Sequence, residues 1–479
     1  MLNIFTLDRI LELLINFYKF LEMKNSLKVK IYNDLPIFYA GTGKCFSSKY
    51  CIRLLLVIVI LGLNFEVSKA LPSYARQTGM SCSACHFSFP ELNSFGRQFK
   101  MNGYVLTGMK TIDAADATTD STSVTRLKLL TTLPLSAMLQ SSFTHVSKDV
   151  PGVQNSSVAF PQQLSVFYAG QVSPHIGTFI QMTYDGHSFG MDNADIRYTN
   201  QARIFKKSLT YGLTLNNNPA VQDVWNTSPA WRFPSASSDA AVTPSKSTIM
   251  ENLGTQVAGL GAYALFNNLL FAELTMYRSA QQGAVSNPAD ATSTMAVKGA
   301  APYWRVALQH QWGLNYVELG TFGIAPEFYQ QGIDGIMDKI TDIGYDFQFE
   351  RRLPFGALTL HSSLINEKES RDITSTISRK IDFNSFKVDG NLYLKNGLGA
   401  TFGYFYTNGS VDSHVTSWSN KPDSNGFIGQ LEYLPWYNTK FALQYVAYSK
   451  FDGTIFNYDG NGRSAANNNT LYLVVWLNF

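Results

Sequence analysis

The sequence has few charged residues, few cysteines and no long hydrophobic run. Asp, Glu, Lys and Arg make up only 15% of its 479 residues, and the chain contains four cysteines. No apolar stretch reaches the roughly 20 residues that a membrane-spanning helix needs, which excludes a bundle of membrane helices. Hydrophobic residues make up 45% of the chain and aromatic residues 14%, so a disordered chain is excluded as well.

The positive charge is concentrated at the N-terminus. Residues 1–70 hold nine Lys and Arg against five Asp and Glu, which leaves 29 against 30 in the rest of the chain. The remainder lacks the basic excess of proteins that bind nucleic acid. No nucleic-acid partner is therefore predicted.

The N-terminal segment has the pattern of a secretory signal peptide. Residues 54–63 (LLLVIVILGL) form an uncharged run behind two basic residues, and Ser-Lys-Ala at 68–70 offers small residues for cleavage. The run is too short for a permanent anchor. We predict that residues 1–70 are a signal peptide with an extended n-region, with a downstream start such as Met23 as the alternative. The mature chain then begins near Leu71, outside the cytoplasm.

Two cysteines remain beyond this segment, and both belong to one motif. Cys82 and Cys85 are followed at once by His86, which gives Cys-Ser-Ala-Cys-His, the attachment motif of c-type haem. A zinc site would need two further ligands, and a thioredoxin-like pair would need a βαβ pattern that does not follow. We predict one covalent haem c held by both thiols, with His86 as the iron ligand.

Residues 71–112 form the predicted monohaem cytochrome c segment. Pro90 suits the first turn of a helix, and Asn102-Gly103 suits its end. Three apolar side chains share one face of this helix and are placed to cover a porphyrin: Leu92, Phe95 and Phe99. About 40 residues are too few to enclose a haem and build a core. Another part of the chain must therefore shelter the haem.

The second axial ligand of the iron stays open at this stage. The candidates are Met80, Met101, Met109 and His145. Met101 points away from Phe95 and Phe99 unless the helix unwinds at Asn102.

From about residue 134 onward, apolar residues recur with a period of two. In 341–349, for example, Thr, Ile, Tyr, Phe and Phe alternate with polar or small residues. Sixteen strand-like runs follow this pattern, near 134–146, 162–172, 176–185, 191–203, 209–216, 255–265, 269–278, 301–311, 315–324, 340–350, 356–366, 383–394, 398–407, 426–434, 439–451 and 469–479.

The connections between these runs alternate in length. Short ones lie near 173–175, 266–268, 395–397 and 435–438, and long ones are Asn217–Gly254, Ser279–Ala300, Glu367–Asp382 and Asp452–Asn468. Short turns on one side and long loops on the other are typical of an outer-membrane barrel. We therefore predict that Asn217–Gly254 and Asp452–Asn468 lie outside the cell. An even strand number leaves both termini in the periplasm, and the aromatic Phe479 ends the last strand as an assembly signal would. We predict an all-β transmembrane barrel of about 16 antiparallel strands over residues 113–479, preceded by the small α-helical monohaem cytochrome c segment.

The haem segment and the barrel together resemble a known family, the fused monohaem cytochrome c–porins, which are outer-membrane iron-oxidising cytochromes of iron-oxidising bacteria. The resemblance rests on Tyr-Ala-Arg-Gln-Thr-Gly before the haem motif, on Phe-Pro-Glu-Leu and Phe-Gly-Arg-Gln-Phe-Lys after it, and on the barrel that follows. It spans nearly the whole mature chain, although no separate iron-binding motif is found to match. It implies haem ligation by Cys82, Cys85 and His86.

The resemblance also implies a function. Extracellular Fe(II) would be the electron donor, and a periplasmic cytochrome or copper protein would be the acceptor. The protein would then be an Fe(II):cytochrome oxidoreductase embedded in outer-membrane lipids. Its haem would lie on the periplasmic side or within the lumen. The alternatives are an electron conduit with another donor or acceptor and a diffusion porin. Three lumen-facing carboxylates, Asp342, Asp346 and Glu350, either guide Fe²⁺ as hard oxygen ligands or only make the lumen polar.

Overall fold

The computed structural model describes residues 72–106, 133–150, 152–287, 290–330, 335–374 and 377–479. The predicted signal segment and the candidate ligand Met109 lie outside these ranges. Three short helices lie before the first strand: α1 (Ser73–Thr78), α2 (Cys82–Cys85) and α3 (Ser94–Met101). Helix α4 (Ile249–Asn252) and a 3-10 helix (Ala465–Asn468) lie in loops. None of the helices in the described ranges is long and apolar enough to cross a membrane.

The described chain then forms nineteen strands. In chain order these are β1 (Leu135–Val146), β2 (Ser157–Ser173), β3 (Ile176–Tyr184), β4 (Phe189–Ile204), β5 (Lys207–Asn216), β6 (Val257–Phe266), β7 (Leu270–Ser279), β8 (Val285–Asn287), β9 (Asp290–Val297), β10 (Ala301–Trp312), β11 (Asn315–Ile324), β12 (Glu327–Tyr329), β13 (Met337–Leu353), β14 (Gly356–Thr374), β15 (Ile377–Leu394), β16 (Leu398–Gly409), β17 (Ser424–Trp436), β18 (Thr439–Lys450) and β19 (Thr470–Asn478).

Sixteen of these strands form a closed antiparallel barrel. Each strand pairs with the next barrel strand along the chain, and β19 pairs back with β1, where Phe143 lies opposite Leu473. The short strands β8, β9 and β12 are additions at the loop end, where β12 bridges β9 and β13. Each of the sixteen predicted runs coincides with one barrel strand, so the predicted fold is confirmed.

The outside of the barrel is apolar and its inside is polar. On β16, Phe402 points outward and is 63% exposed, whereas the neighbouring Thr401 points inward and is 5% exposed. The same alternation follows the other strands, and Leu213, Leu260, Leu274 and Leu319 are all exposed on the outer face. An apolar outer band around a polar interior is the pattern of an outer-membrane barrel, whose outward side chains contact lipid.

Tight turns join the strands at one end of the barrel. Two or three residues connect β2 to β3, β4 to β5, β6 to β7, β10 to β11, β13 to β14, β15 to β16 and β17 to β18. This confirms the predicted short turns, and both chain ends of the barrel lie on that side.

Two predicted long loops differ from expectation. The prediction of a loop over Glu367–Asp382 is wrong, because β14 and β15 continue through this range as one hairpin in which Lys368 pairs with Asp382. The prediction that Asn217–Gly254 lies outside the cell is also wrong. This segment, here called the inner loop, folds back into the lumen, where Trp225 is fully buried. Its apolar side chains and the indole of Trp225, which donates to Tyr316 Oη at 2.8 Å, hold it there.

Candidate functional site

The predicted haem segment lies inside the barrel. Residues 72–106, here called the plug, are bonded to strands on different sides of the lumen. Tyr74 Oη donates to the Thr178 carbonyl on β3 at 2.5 Å, and Lys440 Nζ on β18 donates to the Phe89 carbonyl at 2.5 Å. The barrel therefore encloses this short segment, which is too small to build a core of its own.

A buried ion pair also anchors the plug. Arg97 on α3 pairs with Glu350 on β13, and its guanidinium carbon lies 4.0 Å from the centre of the Tyr316 ring. Arg97 Nη1 also donates to the Leu92 carbonyl at 3.0 Å. Both charged groups are almost completely buried, so each depends on the other for compensation.

The plug also contacts the inner loop. Lys100 Nζ donates to the Val221 carbonyl at 2.5 Å and to the Asp223 carbonyl at 2.9 Å. The Leu92 amide donates to Asn226 Oδ1 at 3.0 Å. Burial lowers the pKa of Lys100 to about 7. Plug and inner loop thus both occupy the lumen and are hydrogen-bonded to each other.

Helix α3 begins later than predicted. Its N-cap is Asn93, whose side chain accepts hydrogen bonds from the amides of Phe95 and Gly96 at 3.0 and 3.1 Å. Pro90 lies in the turn before the helix, so the predicted start is wrong, while the predicted end at Asn102 is confirmed. A Cβ at Gly96 would lie 2.2 Å from the Cys85 carbonyl oxygen. The absence of a side chain there lets α3 pack directly against the Cys-Ser-Ala-Cys turn.

Cys82, Cys85 and His86 line a cavity of about 430 Å³ between the plug and the barrel wall. This volume falls within the roughly 300–1,000 Å³ typical of ligand sites. Apolar and aromatic side chains form much of its surface: Leu92, Phe95, Phe99, Phe167, Phe179, Trp231 and Trp476. The first three were predicted to share one helix face; Phe95 and Phe99 lie on α3, whereas Leu92 lies before it, and all three line the cavity.

The histidine has the surroundings of a metal ligand. His86 Nδ1 lies 3.2 Å from the Pro90 carbonyl oxygen, which can only accept, so Nδ1 carries the proton and Nε2 carries the lone pair. A histidine that binds a metal commonly donates its other ring nitrogen to a carbonyl in this way. Burial lowers the pKa of His86 to about 4, which keeps the imidazole neutral and able to bind iron.

The two cysteines are free thiols at the edge of the same cavity. Burial raises the pKa of Cys82, and it raises the pKa of Cys85 to about 11. Two thiols and a neutral imidazole beside an aromatic cavity of this size fit a covalent c-type haem.

The candidates for the second axial ligand lie in different parts of the structure. Met80 lines the cavity. Met101 does not line it and packs instead with Val224 and Trp225 of the inner loop. His145 lies at the end of β1, where its Nδ1 is 3.0 Å from Ser156 Oγ, far along the strand from the cavity-lining residues of β1. The wall contributes one sulfur that the sequence analysis missed, that of Met138 on β1.

The three carboxylates considered as Fe²⁺ guides all face the lumen, as predicted. Each is engaged with the lumen's contents: Glu350 pairs with Arg97 of the plug, and Asp346 accepts from Thr227 of the inner loop and pairs with Arg305. Asp342 accepts the Met250 amide at 2.9 Å. These acids hold the plug and the inner loop in place. Within the described ranges, no three His, Cys, Asp or Glu side chains converge as a metal site.

Comparison with known proteins finds barrels of similar fold. No protein-family model matches the chain, and no curated protein matches it by sequence. The outer-membrane channel DcaP of Acinetobacter baumannii is 11% identical, with 72% of this chain and 96% of that chain covered and a TM-score of 0.44. A loop-deletion mutant of the outer-membrane protein OmpT of Vibrio cholerae is 9% identical, over 72% and 98%, with a TM-score of 0.42. An anion-selective porin from Comamonas acidovorans is 11% identical, over 72% and 98%, with a TM-score of 0.42. The chain is similar to these barrels, and its architecture rests on the strand pairing described above.

Proposed function

We propose that this protein is an outer-membrane cytochrome whose barrel holds a covalent c-type haem and passes electrons between an extracellular donor and a periplasmic acceptor. The observation that carries the proposal is the convergence of Cys82, Cys85 and His86 on one aromatic cavity inside the lumen. Bound haem supplies one-electron redox chemistry.

The chain's own residues have three tasks in this proposal. Cys82 and Cys85 provide the thioether attachment, and His86 provides a neutral imidazole whose orientation is set by the Pro90 carbonyl. The aromatic side chains of the wall give the cavity an apolar surface suited to a porphyrin. The ion pair of Arg97 and Glu350 fixes the plug, and with it the attachment site, against the barrel.

The filled lumen favours electron transfer over free diffusion of solutes. Plug and inner loop are bonded to the wall and to each other through buried groups, including the contacts of Lys100 and the Tyr74 hydroxyl. An electron can cross such a plug, whereas a hydrated solute needs an open path. We propose Fe(II) as the donor, since it gives one electron per ion and needs only close approach to the protein, and a periplasmic cytochrome or copper protein as the acceptor.

The first experiment asks whether haem is attached. Protein purified from a host with cytochrome c maturation should keep its haem through denaturing electrophoresis and give a c-type pyridine haemochrome. Cys82→Ser with Cys85→Ser should lose covalent haem while the barrel still assembles. The buried Ser73→Ala is a matched control on the same segment and should keep it. Haem that acidified organic solvent extracts from the native protein would contradict the proposal.

The second experiment asks about the donor. Anaerobic Fe(II), added to the oxidised protein in detergent, should produce the reduced haem bands promptly, and dithionite should add little further reduction. Reduction by dithionite but not by Fe(II) would exclude iron as donor while leaving a conduit for another donor.

A diffusion channel is the second candidate, and the porin-like barrel itself favours it. The two candidates differ in planar bilayers. A conduit with a fixed plug should give little steady conductance, and deletion of residues 72–106 should raise it. Large steady conductance from the intact protein, together with a lack of covalent haem, would establish the channel instead.

A further inference from the structure

The cavity offers few side chains that could form a second axial bond to an iron held by His86. In proteins such bonds come from His, Cys, Met or Tyr, and a lysine amine is a further nitrogen donor. Apart from Cys82, Cys85 and His86, the described residues of these types that line the cavity are Tyr74, Met80, Lys100, Tyr104 and Met138.

Three of these five are already engaged. The Tyr74 hydroxyl donates to a backbone carbonyl of β3, and the Tyr104 hydroxyl donates to Asp195 at 2.6 Å. Lys100 donates to two backbone carbonyls of the inner loop. A bond from any of them to iron would break a buried hydrogen bond that holds the plug. Among the residues that the structure describes, the choice is thus between the sulfurs of Met80 and Met138.

Met138 lies on the barrel wall, where it packs with Phe89 of the plug and Trp476 of β19. It faces the lumen and is 3% exposed, in a row of inward residues of β1 that is otherwise polar over Ser136, Gln140, Ser142 and Thr144. Gln140 Nε2 lies 3.8 Å from Met138 Sδ and donates to it, which directs the thioether. β1 pairs with both β2 and β19, so the backbone under this sulfur is fixed on both sides.

Met80 differs in each of these respects. It lies on the plug, two residues before Cys82, and its side chain is partly exposed. With haem bound, this same short segment would supply both thioether attachments through Cys82 and Cys85 and the imidazole ligand through His86. Met138 lies on a different element, the wall strand β1, and lines the same cavity as His86.

We propose that Met138 is the second axial ligand of the haem iron, so that the iron joins the plug to the barrel wall. This inference rests on the proposed function, because it requires the covalent haem. The ligand set would be one histidine and one methionine, which favours a higher reduction potential than two histidines would give.

The test compares matched variants of the intact protein. Met138→Leu keeps the apolar volume but removes the sulfur. It should abolish the long-wavelength sulfur-to-iron band of the ferric haem, make the ferrous haem bind carbon monoxide, and lower the midpoint potential. Met80→Leu is the control and should change none of these. Met138→His should restore a six-coordinate low-spin haem at a lower potential than the wild type, which a merely structural role would not produce.

The wild-type protein gives an independent measurement if Met138→Leu fails to assemble. Near-infrared magnetic circular dichroism distinguishes His/Met from His/His and from five-coordinate haem without any substitution. A wild-type spectrum other than His/Met would overturn the inference, and so would loss of the sulfur band in Met80→Leu but not in Met138→Leu. A lack of covalent haem in the wild type is a different result, since it would refute the proposed function.

Discussion

The ion pair between Arg97 and Glu350 predicts how firmly the plug is held. Glu350→Gln removes the negative charge but keeps nearly the same side-chain shape, so it leaves the Arg97 guanidinium buried without its partner. Removal of one partner of a buried pair typically costs about 3–5 kcal/mol, mostly because the remaining charge is uncompensated. The contact of Arg97 with the Tyr316 ring offsets part of this cost.

This cost should appear as faster opening of the plug. At about 1.4 kcal/mol per tenfold change, a loss of 3–5 kcal/mol raises the opened population roughly 100- to 5,000-fold. Hydrogen exchange of the α3 amides, measured by mass spectrometry in detergent, reports this population directly. Exchange in the middle of β13 should stay unchanged, because the strand ladder itself is not altered.

Two control variants distinguish the effect of breaking the buried ion pair from the effect of removing a charge elsewhere. Glu327→Gln breaks an exposed pair with Lys339, whose Nζ lies 3.1 Å from Glu327 Oε1, and such pairs contribute at most about 1 kcal/mol. The double variant Arg97→Met with Glu350→Gln removes both charges and should recover much of the lost protection. Equal acceleration of α3 exchange by Glu350→Gln and Glu327→Gln would refute the reasoning.

Three further predictions concern the ends of the barrel. Protease added to intact cells should cut the loop 410–423, where Trp418 is 79% exposed, and should spare the inner loop; cleavage within the inner loop would contradict its position in the lumen. Deletion of Phe479, whose backbone exchanges two hydrogen bonds with Ala137, should reduce the yield of assembled barrel without changing the haem spectrum of the barrel that does form. The His414 amide and Lys246, the latter 3.0 Å away, hold the pKa of Asp412 at about 2 despite burial. This folded-state pKa lies below the ordinary aspartate value of about 3.9. The Asp412 carboxylate therefore stabilises the loop 410–423 above about pH 4, and this stabilisation is lost as the pH falls towards 2. Asp412→Asn should speed amide exchange in this loop at pH 6 but not at pH 2.

The strands could be predicted because a lipid-facing barrel wall imposes a period of two on each strand. The apolar residues at alternate positions of β16 and β19 mark the outer face directly, and all sixteen runs were found in this way. The hairpin over Glu367–Asp382 was missed because it extends beyond the barrel wall, and polar residues such as Lys368 and Arg371 there replace the apolar ones.

The contents of the lumen were harder to predict because they depend on contacts between distant parts of the chain. The length of the inner loop suggested an external position, yet its Val221, Val224 and Trp225 are more apolar than an exposed loop would tolerate, and that was the available signal. The spacing of Cys82, Cys85 and His86 was enough to predict haem attachment, which stays a prediction. Met138 was missed because it lies far along the chain from that motif, although a lone methionine in the polar inward row of β1 could have drawn attention to it.

The plug also constrains the order in which the chain can assemble. It is bonded through Tyr74 to β3, near the start of the barrel, and through Phe89 to β18, near its end. The barrel becomes a closed ring only when β19 pairs with β1. We therefore expect the plug to be in place before that seam forms. Haem supplied only after a pulse of labelled synthesis would test this order. Labelled barrels that have already closed should then remain without haem. On this view the barrel is folded around its cofactor segment, and the attachment of any group to Cys82 and Cys85 becomes a step that precedes insertion into the membrane.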